Sequence, residues 1–334
     1  MRRAAALALA AALASAAPAR AQQLADTTFA PRAERPAFTE RHPVVLVDEA
    51  HHEYHTMGGR YRALAGLLAS DGCRVVPGMQ PFSPELLQSC QVLVVADALG
   101  AARMIDGNAA KPAFTDAECD VVRDWVKGGG ALLLIADHAP FAVAMEPLAL
   151  RFGVDMSKGY TMDDRNVDPE SGNPGCILFT REKRGIAGHP ITRGRGADER
   201  VSRVATFTGQ SLKGPPGSVN LLALAPSAVD LPLTPGGQRA GPVRKPAGPA
   251  KSVEEMLARD AVPAKGRAQA VAFTFGRGRV VVAGDAAMFG AQLAVGPEAK
   301  RMKKDVLRLG MNRSDLDNQK LALNIVRWLA GALD

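Results

Sequence analysis

Pro43-Val-Val-Leu-Val-Asp-Glu-Ala-His-His-Glu-Tyr-His55 is the stretch that decides the fold. Four aliphatic residues run without a polar break into a cluster of acids and imidazoles. A continuous apolar run of this length is how a parallel strand covered on both faces reads. Its polar end marks the carboxyl edge of such a sheet, where ligands bind in open α/β folds. The cluster holds Asp48, Glu49, His51, His52, Glu53 and His55, and four of the six histidines lie between His42 and His55.

The same grammar repeats outward. After Val44–Val47, Gly59–Ser70 places Tyr61, Leu64, Leu67 and Leu68 on one helical face, and Asp71-Gly72 stops it. Cys73–Val76 reads as a second strand and Gln91–Ala96 as a third, ending at Asp97. Thr115 caps a helix over Asp116–Lys127, with Glu118 at the reciprocal capping position. Gly128-Gly-Gly130 ends that helix, and Ala131–Ala136 is a fourth strand running into Asp137-His138. Strand and helix alternate, which predicts an α/β fold: a flavodoxin-like, doubly wound, mainly parallel sheet. Residues 155–265 break the rhythm with Gly and Pro, short candidate strands and a polar loop at 236–251. They read as an excursion that adds strands, antiparallel to the rest. Ala268–Phe275 and Arg279–Ala283 flank Gly276-Arg-Gly278 as a hairpin, and the second run ends at Gly284-Asp285. Asp317–Leu333 reads as an amphipathic closing helix. The division expected is a leader at 1–21, an extended segment at 22–42 and one α/β domain over 43–334.

Met1-Arg-Arg, an Ala/Leu run and Ala19-Arg20-Ala21 have the layout of a signal peptide cleaved near Ala21-Gln22, so a periplasmic or secreted chain is expected. No later run is long and apolar enough for a membrane span. The formal net charge is +7, and three of those positive charges, Arg2, Arg3 and Arg20, sit in the leader. The remainder is small and scattered, and the basic run Lys300–Lys304 reads as a solvated helix face. Nucleic acid is therefore not an expected partner. The four cysteines, Cys73, Cys90, Cys119 and Cys176, are widely spaced with no CxxC. An oxidising compartment permits disulfides, in any of three pairings, but a chain of this size needs no staple, so buried free thiols are the favoured expectation.

Four predicted strands end in an acid: Asp48, Asp97, Asp137 and Asp285. Two of those ends add histidine, at His51/His52 and at His138. Any one such Asp serves equally well as a turn or cap residue. Together with Glu49 the group forms a candidate ligand crevice. Carboxylate and imidazole also make a transition-metal donor set, so His51, His52, Asp137 and His138 are candidate ligands for a divalent ion such as zinc. Without metal, His138 beside Asp137 is a candidate general base. No Ser or Cys occupies the turn after the fourth strand, no GxGxxG or Walker pattern is present, and Ser211 in Phe207-Thr-Gly-Gln-Ser211 is expected in a loop within reach of a ligand.

Three segments carry a family resemblance: Val-Asp-Glu-Ala-His-His, Gly-Gly-Ala-Leu-Leu-Leu-Ile-Ala-Asp-His-Ala-Pro-Phe and Gly-Arg-Gly-Arg-Val-Val-Val-Ala-Gly-Asp-Ala-Ala-Met-Phe. In this order they resemble the class I glutamine amidotransferase-like superfamily, in its exported branch related to DUF4350 and GldG/IFT52-like domains. The resemblance covers about 43–155 and 268–333. It implies the flavodoxin-like sheet with a crevice at its carboxyl edge. It also implies a catalytic Cys after Ala131–Ala136 and a His after a late strand, where this chain has Asp137-His138 and Gly284-Asp285. Glutamine hydrolysis is accordingly not expected. Three readings stay open: binding of a small polar ligand such as a sugar or glycan, a metal- or His/Asp-dependent hydrolase, and a purely structural role.

Overall fold

The computed structural model describes residues 22–237, 260–296, 299 and 304–334. The leader, most of the 236–251 loop and the basic run from Lys300 to residue 303 lie outside the described residues.

The main sheet has nine strands. In chain order they are β1 (Val44–Asp48), β2 (Arg74–Gly78), β3 (Val92–Ala96), β4 (Ala131–Ile135), β5 (Asp155–Met156), β6 (Leu212–Lys213), β7 (Val219–Ala223), β8 (Ala268–Phe275) and β9 (Gly278–Ala283). The order β2-β1-β3-β4-β9 is parallel throughout, with Val45 opposite Val92, Val92 opposite Ala131 and Ala131 opposite Arg279. This is the flavodoxin-like doubly wound arrangement. β8 then runs antiparallel to β9, and β5, β6 and β7 extend the sheet from there. The excursion thus adds antiparallel strands, as the sequence suggests. In the hairpin turn Gly276 has φ +60°, and a Cβ there would lie 2.6 Å from the Lys127 carbonyl oxygen, so only glycine fits.

Alternation along each buried strand builds two cores. Val45 and Val47, Val92 and Val94, Leu133 and Ile135 face helix α1 (Arg62–Ser70) and the closing helix α5 (Asn318–Leu329). Leu46, Leu93, Val95, Leu132 and Leu134 face α2 (Pro84–Gln88), α3 (Asp116–Lys127) and α4 (Phe141–Arg151). Each fully buried aliphatic side chain here contributes about 1.5–3 kcal/mol. α4 escapes the sequence reading because it is apolar on nearly every face, holds Pro147 and has no side-chain cap. It forms because it buries six residues, four of them, Ala142, Met145, Leu148 and Ala149, in the core shared with the sheet.

The excursion also makes smaller antiparallel pieces, Leu178–Thr180 with Arg203–Ala205 among them. Gln22–Ala25, in the expected extended segment, pairs with Ala291–Val295. All four cysteines are buried and none is disulfide-bonded.

Candidate functional site

The four parallel strands that carry Asp48, Asp97, Asp137 and Asp285 deliver them to the same carboxyl edge. Their neighbours then sort them into different jobs.

Asp285 is spent on the backbone. Its two oxygens accept from the Phe207 amide at 2.6 Å and the Met288 amide at 2.7 Å. Burial raises its pKa to about 7, against the pull of those two amides. Asp97 is wholly buried; Oδ1 accepts from the Asp137 amide at 2.7 Å. Its Oδ2 lies 3.2 Å from His55 Nδ1, yet the pair is misaligned and neither buried atom has a hydrogen-bond partner. Asp137 reaches solvent in part. Burial, then Asp97 and Asp285, push its carboxyl pKa well above the usual carboxylate range. Its single described side-chain bond is a long one, 3.4 Å from the Ala286 amide.

Half-buried His138 stands beside Asp137. Its Nδ1 lies 2.7 Å from the Ala139 carbonyl, which can only accept, so Nδ1 carries the proton and Nε2 keeps a lone pair. Burial lowers its pKa and keeps the ring neutral, outweighing that carbonyl and Asp97. Its ring packs against Tyr160 with centroids 4.2 Å apart. Gln210, wholly buried, donates from Nε2 to the Ala136 and Asp137 carbonyls and fixes this turn. Tyr61 seals the floor, its hydroxyl donating to the Ala286 carbonyl at 3.1 Å. These residues make an inner group around Asp137, which the Arg60 charge also reaches; the Arg60 guanidinium lies 4.1 Å over the Tyr54 ring.

Asp48 belongs to a separate outer group. Its Oδ2 lies 2.8 Å from His51 Nδ1, while His51 Nε2 lies 2.9 Å from Glu118 Oε1. The His51 amide donates to Glu53 Oε2 at 3.0 Å. Burial works against charge on His51, but Asp48 and then Glu118 outweigh it and raise its pKa. Burial and Asp48 push the Glu53 carboxyl up to about 10. Phe82 and Phe114 close on the His51 ring at 4.6 and 4.8 Å.

The structure therefore does not gather His51, His52, Asp137 and His138 around one point. His51 sits in the outer group, Asp137 and His138 in the inner one, and His52 is exposed with φ 57°. Among the described residues, the group of three or more His, Cys, Asp or Glu whose ligand atoms lie within 4.8 Å of one another is Asp48, His51 and Glu53. Glu49 ties down the loop by accepting from the Met57 amide at 2.7 Å. Ser211 is a correction: it is not in an open loop but fully buried, donating to Asp230 at 2.7 Å and accepting from Arg267 at 2.6 Å.

Sequence reasoning missed the contributions of Glu118, Gln210 and Tyr61. Glu118 was legible as a helix cap, and it is one: Thr115 Oγ1 accepts from its amide at 3.2 Å and its Oε2 accepts from the Thr115 amide at 2.9 Å. Nothing local announces that its other oxygen reaches His51.

No protein-family model matches the chain, and no curated protein is similar to it. Solved structures are. The mmIFT52 N-terminal domain has a TM-score of 0.53 at 15% identity, covering 86% of this chain and 96% of that one. A ThuA-like protein from Bacteroides uniformis gives 0.39 at 13% identity, over 90% and 94% of the two chains. A ThuA-like protein from Parabacteroides merdae gives 0.40 at 13%, over 86% and 89%. Likeness at such identity concerns the fold alone.

Proposed function

We propose that this chain is an exported, non-amidotransferase member of the glutamine amidotransferase-like fold that binds a small polar, hydroxyl-rich ligand, such as a sugar, at the carboxyl edge of its sheet. The observation that carries this reading is the state of Asp137. It is the strand-end acid that meets solvent, and its surroundings raise its pKa above the usual carboxylate range. A carboxyl whose surroundings disfavour its charge, beside an imidazole kept neutral with Nε2 accepting, offers both donors and acceptors at one mouth. That is the polarity hydroxyl groups match. Half-buried Tyr160 and the partly exposed Tyr54 supply apolar ring faces at the same mouth. Export rests on the leader sequence, and the absence of a Cys after β4 argues against glutamine hydrolysis.

The raised pKa of Asp137 also favours a second reading, a hydrolase in which Asp137 gives up a proton as general acid while His138 Nε2 takes one from water. One experiment separates the two. Calorimetry against a panel of neutral mono- and disaccharides should find a ligand whose affinity falls at least tenfold in Asp137→Asn and His138→Ala. Nitrophenyl glycosides and esters, assayed alongside, should be turned over by the wild type alone if the second reading holds. A folded wild type that binds none of the panel, or binds one equally well after both substitutions, removes the proposed site.

A further inference from the structure

The outer group plays no part in the reading above, and it leaves one buried carboxyl oxygen, Glu53 Oε1, without a partner. The Asp48 and Glu53 side chains are wholly buried beside each other, and His51 is 8% exposed. Buried carboxylates are tolerated when something positive is paired with them. Each of these two has one oxygen engaged by the backbone: Asp48 Oδ1 accepts from the Ala50 amide at 3.2 Å and Glu53 Oε2 from the His51 amide. Each turns its other oxygen toward the His51 ring. Glu53 Oε1 is buried with no donor reaching it.

We propose that Asp48 Oδ2, His51 Nδ1 and Glu53 Oε1 form a binding site for one divalent first-row transition cation such as Zn²⁺, with Glu118 holding the imidazole from its far side. The donor set of one imidazole and two carboxylates suits such an ion. Bonds of about 2.0–2.2 Å in a tetrahedron place donor atoms roughly 3.3 Å apart. Here His51 Nδ1 lies 2.8 Å from Asp48 Oδ2 and 4.0 Å from Glu53 Oε1, and the group's ligand atoms all lie within 4.8 Å of one another, so entry of the ion needs side-chain shifts of about 1–1.5 Å at most. The ion takes the place of a proton between these atoms. Glu118 Oε1, accepting from Nε2, then presents the Nδ1 lone pair to the metal, the arrangement of carboxylate, histidine and metal in which the outer carboxylate fixes tautomer and ring plane. Phe82 and Phe114 pack on the ring and leave it few orientations. Three protein donors leave a fourth position for water.

The test uses the full chain stripped with a chelator and titrated with Zn²⁺, then Mn²⁺ and Mg²⁺, by calorimetry. One Zn²⁺ per chain is expected, bound far more tightly than Mg²⁺. Glu53→Gln keeps an acceptor for the His51 amide but should weaken binding at least tenfold. Glu118→Gln should weaken it about tenfold to a hundredfold, as loss of an outer partner does. His52→Ala, at an exposed position, should leave it unchanged. Zinc-edge X-ray absorption on the wild type should show nitrogen and oxygen donors with no sulfur, which tests the assignment even if a variant fails to fold. Folded wild type that takes up no Zn²⁺, uptake indifferent to Glu53→Gln, or sulfur in the coordination shell would each overturn the proposal.

Discussion

His51 Nε2 lies 2.9 Å from Glu118 Oε1, although 67 residues separate the two in the chain. The contact ties the loop after β1 to the first turn of α3. Glu118 is thus both a helix cap and a clamp on the histidine, and Phe82 joins them by donating its amide to the same Oε1 at 3.2 Å.

Two roles in one side chain predict an unequal cost. Thr115→Ala removes one side of the capping box and should cost about 1 kcal/mol. Glu118→Ala removes the other side and also strips His51 and the Phe82 amide of their acceptor, so a loss of about 2–4 kcal/mol is expected. Urea unfolding of both variants checks this. Equal losses would mean that Glu118 acts as a cap alone.

Asp137 should make the protein less stable as pH rises. Its folded pKa lies above the ordinary carboxylate value, so the folded state holds a proton that the unfolded chain releases. The stability it contributes is complete below about pH 4. It is lost as pH climbs from there toward the folded pKa. Asp137→Asn keeps the shape and removes the titration. Its unfolding free energy should fall less steeply than that of the wild type as pH rises above about 4. Parallel pH profiles for the two proteins would assign the proton elsewhere.

Arg327 of α5 and Asp71 at the end of α1 form a two-pronged buried pair, Nε to Oδ2 at 2.8 Å and Nη2 to Oδ1 at 2.6 Å, with exposures of 2% and 1%. Asp71 also accepts from the Ala37 amide at 2.9 Å, so the pair joins the closing helix, α1 and the segment before β1. Arg327→Met leaves a buried carboxylate without its counter-charge and should cost about 3–5 kcal/mol. The double variant Asp71→Asn, Arg327→Met should recover part of that loss. A double variant as unstable as the sum of both single ones would show that the pair adds no mutual stabilisation.

Most of the scaffold was readable along the chain. The aliphatic runs of β1, β3, β4 and β9, the caps and stops of α1 and α3, and the glycine hairpin are local signals, because period and turn chemistry act between near neighbours. The placement of Asp48, Asp97, Asp137 and Asp285 on one edge followed from parallel strand order. What the sequence could not supply was the assignment of each acid. Asp285 looks like Asp137 in one dimension, yet two backbone amides engage the first while the second is left half-buried at the mouth with one long contact. Glu53 and Glu118 became partners of His51, and His52 turned to solvent, through contacts made by folding alone. Burial, charge proximity and hydrogen-bond alignment depend on where distant segments meet, and these fix protonation and binding. Local pattern determined the sheet and its edge, and the tertiary structure decided which groups on that edge have chemistry left to offer.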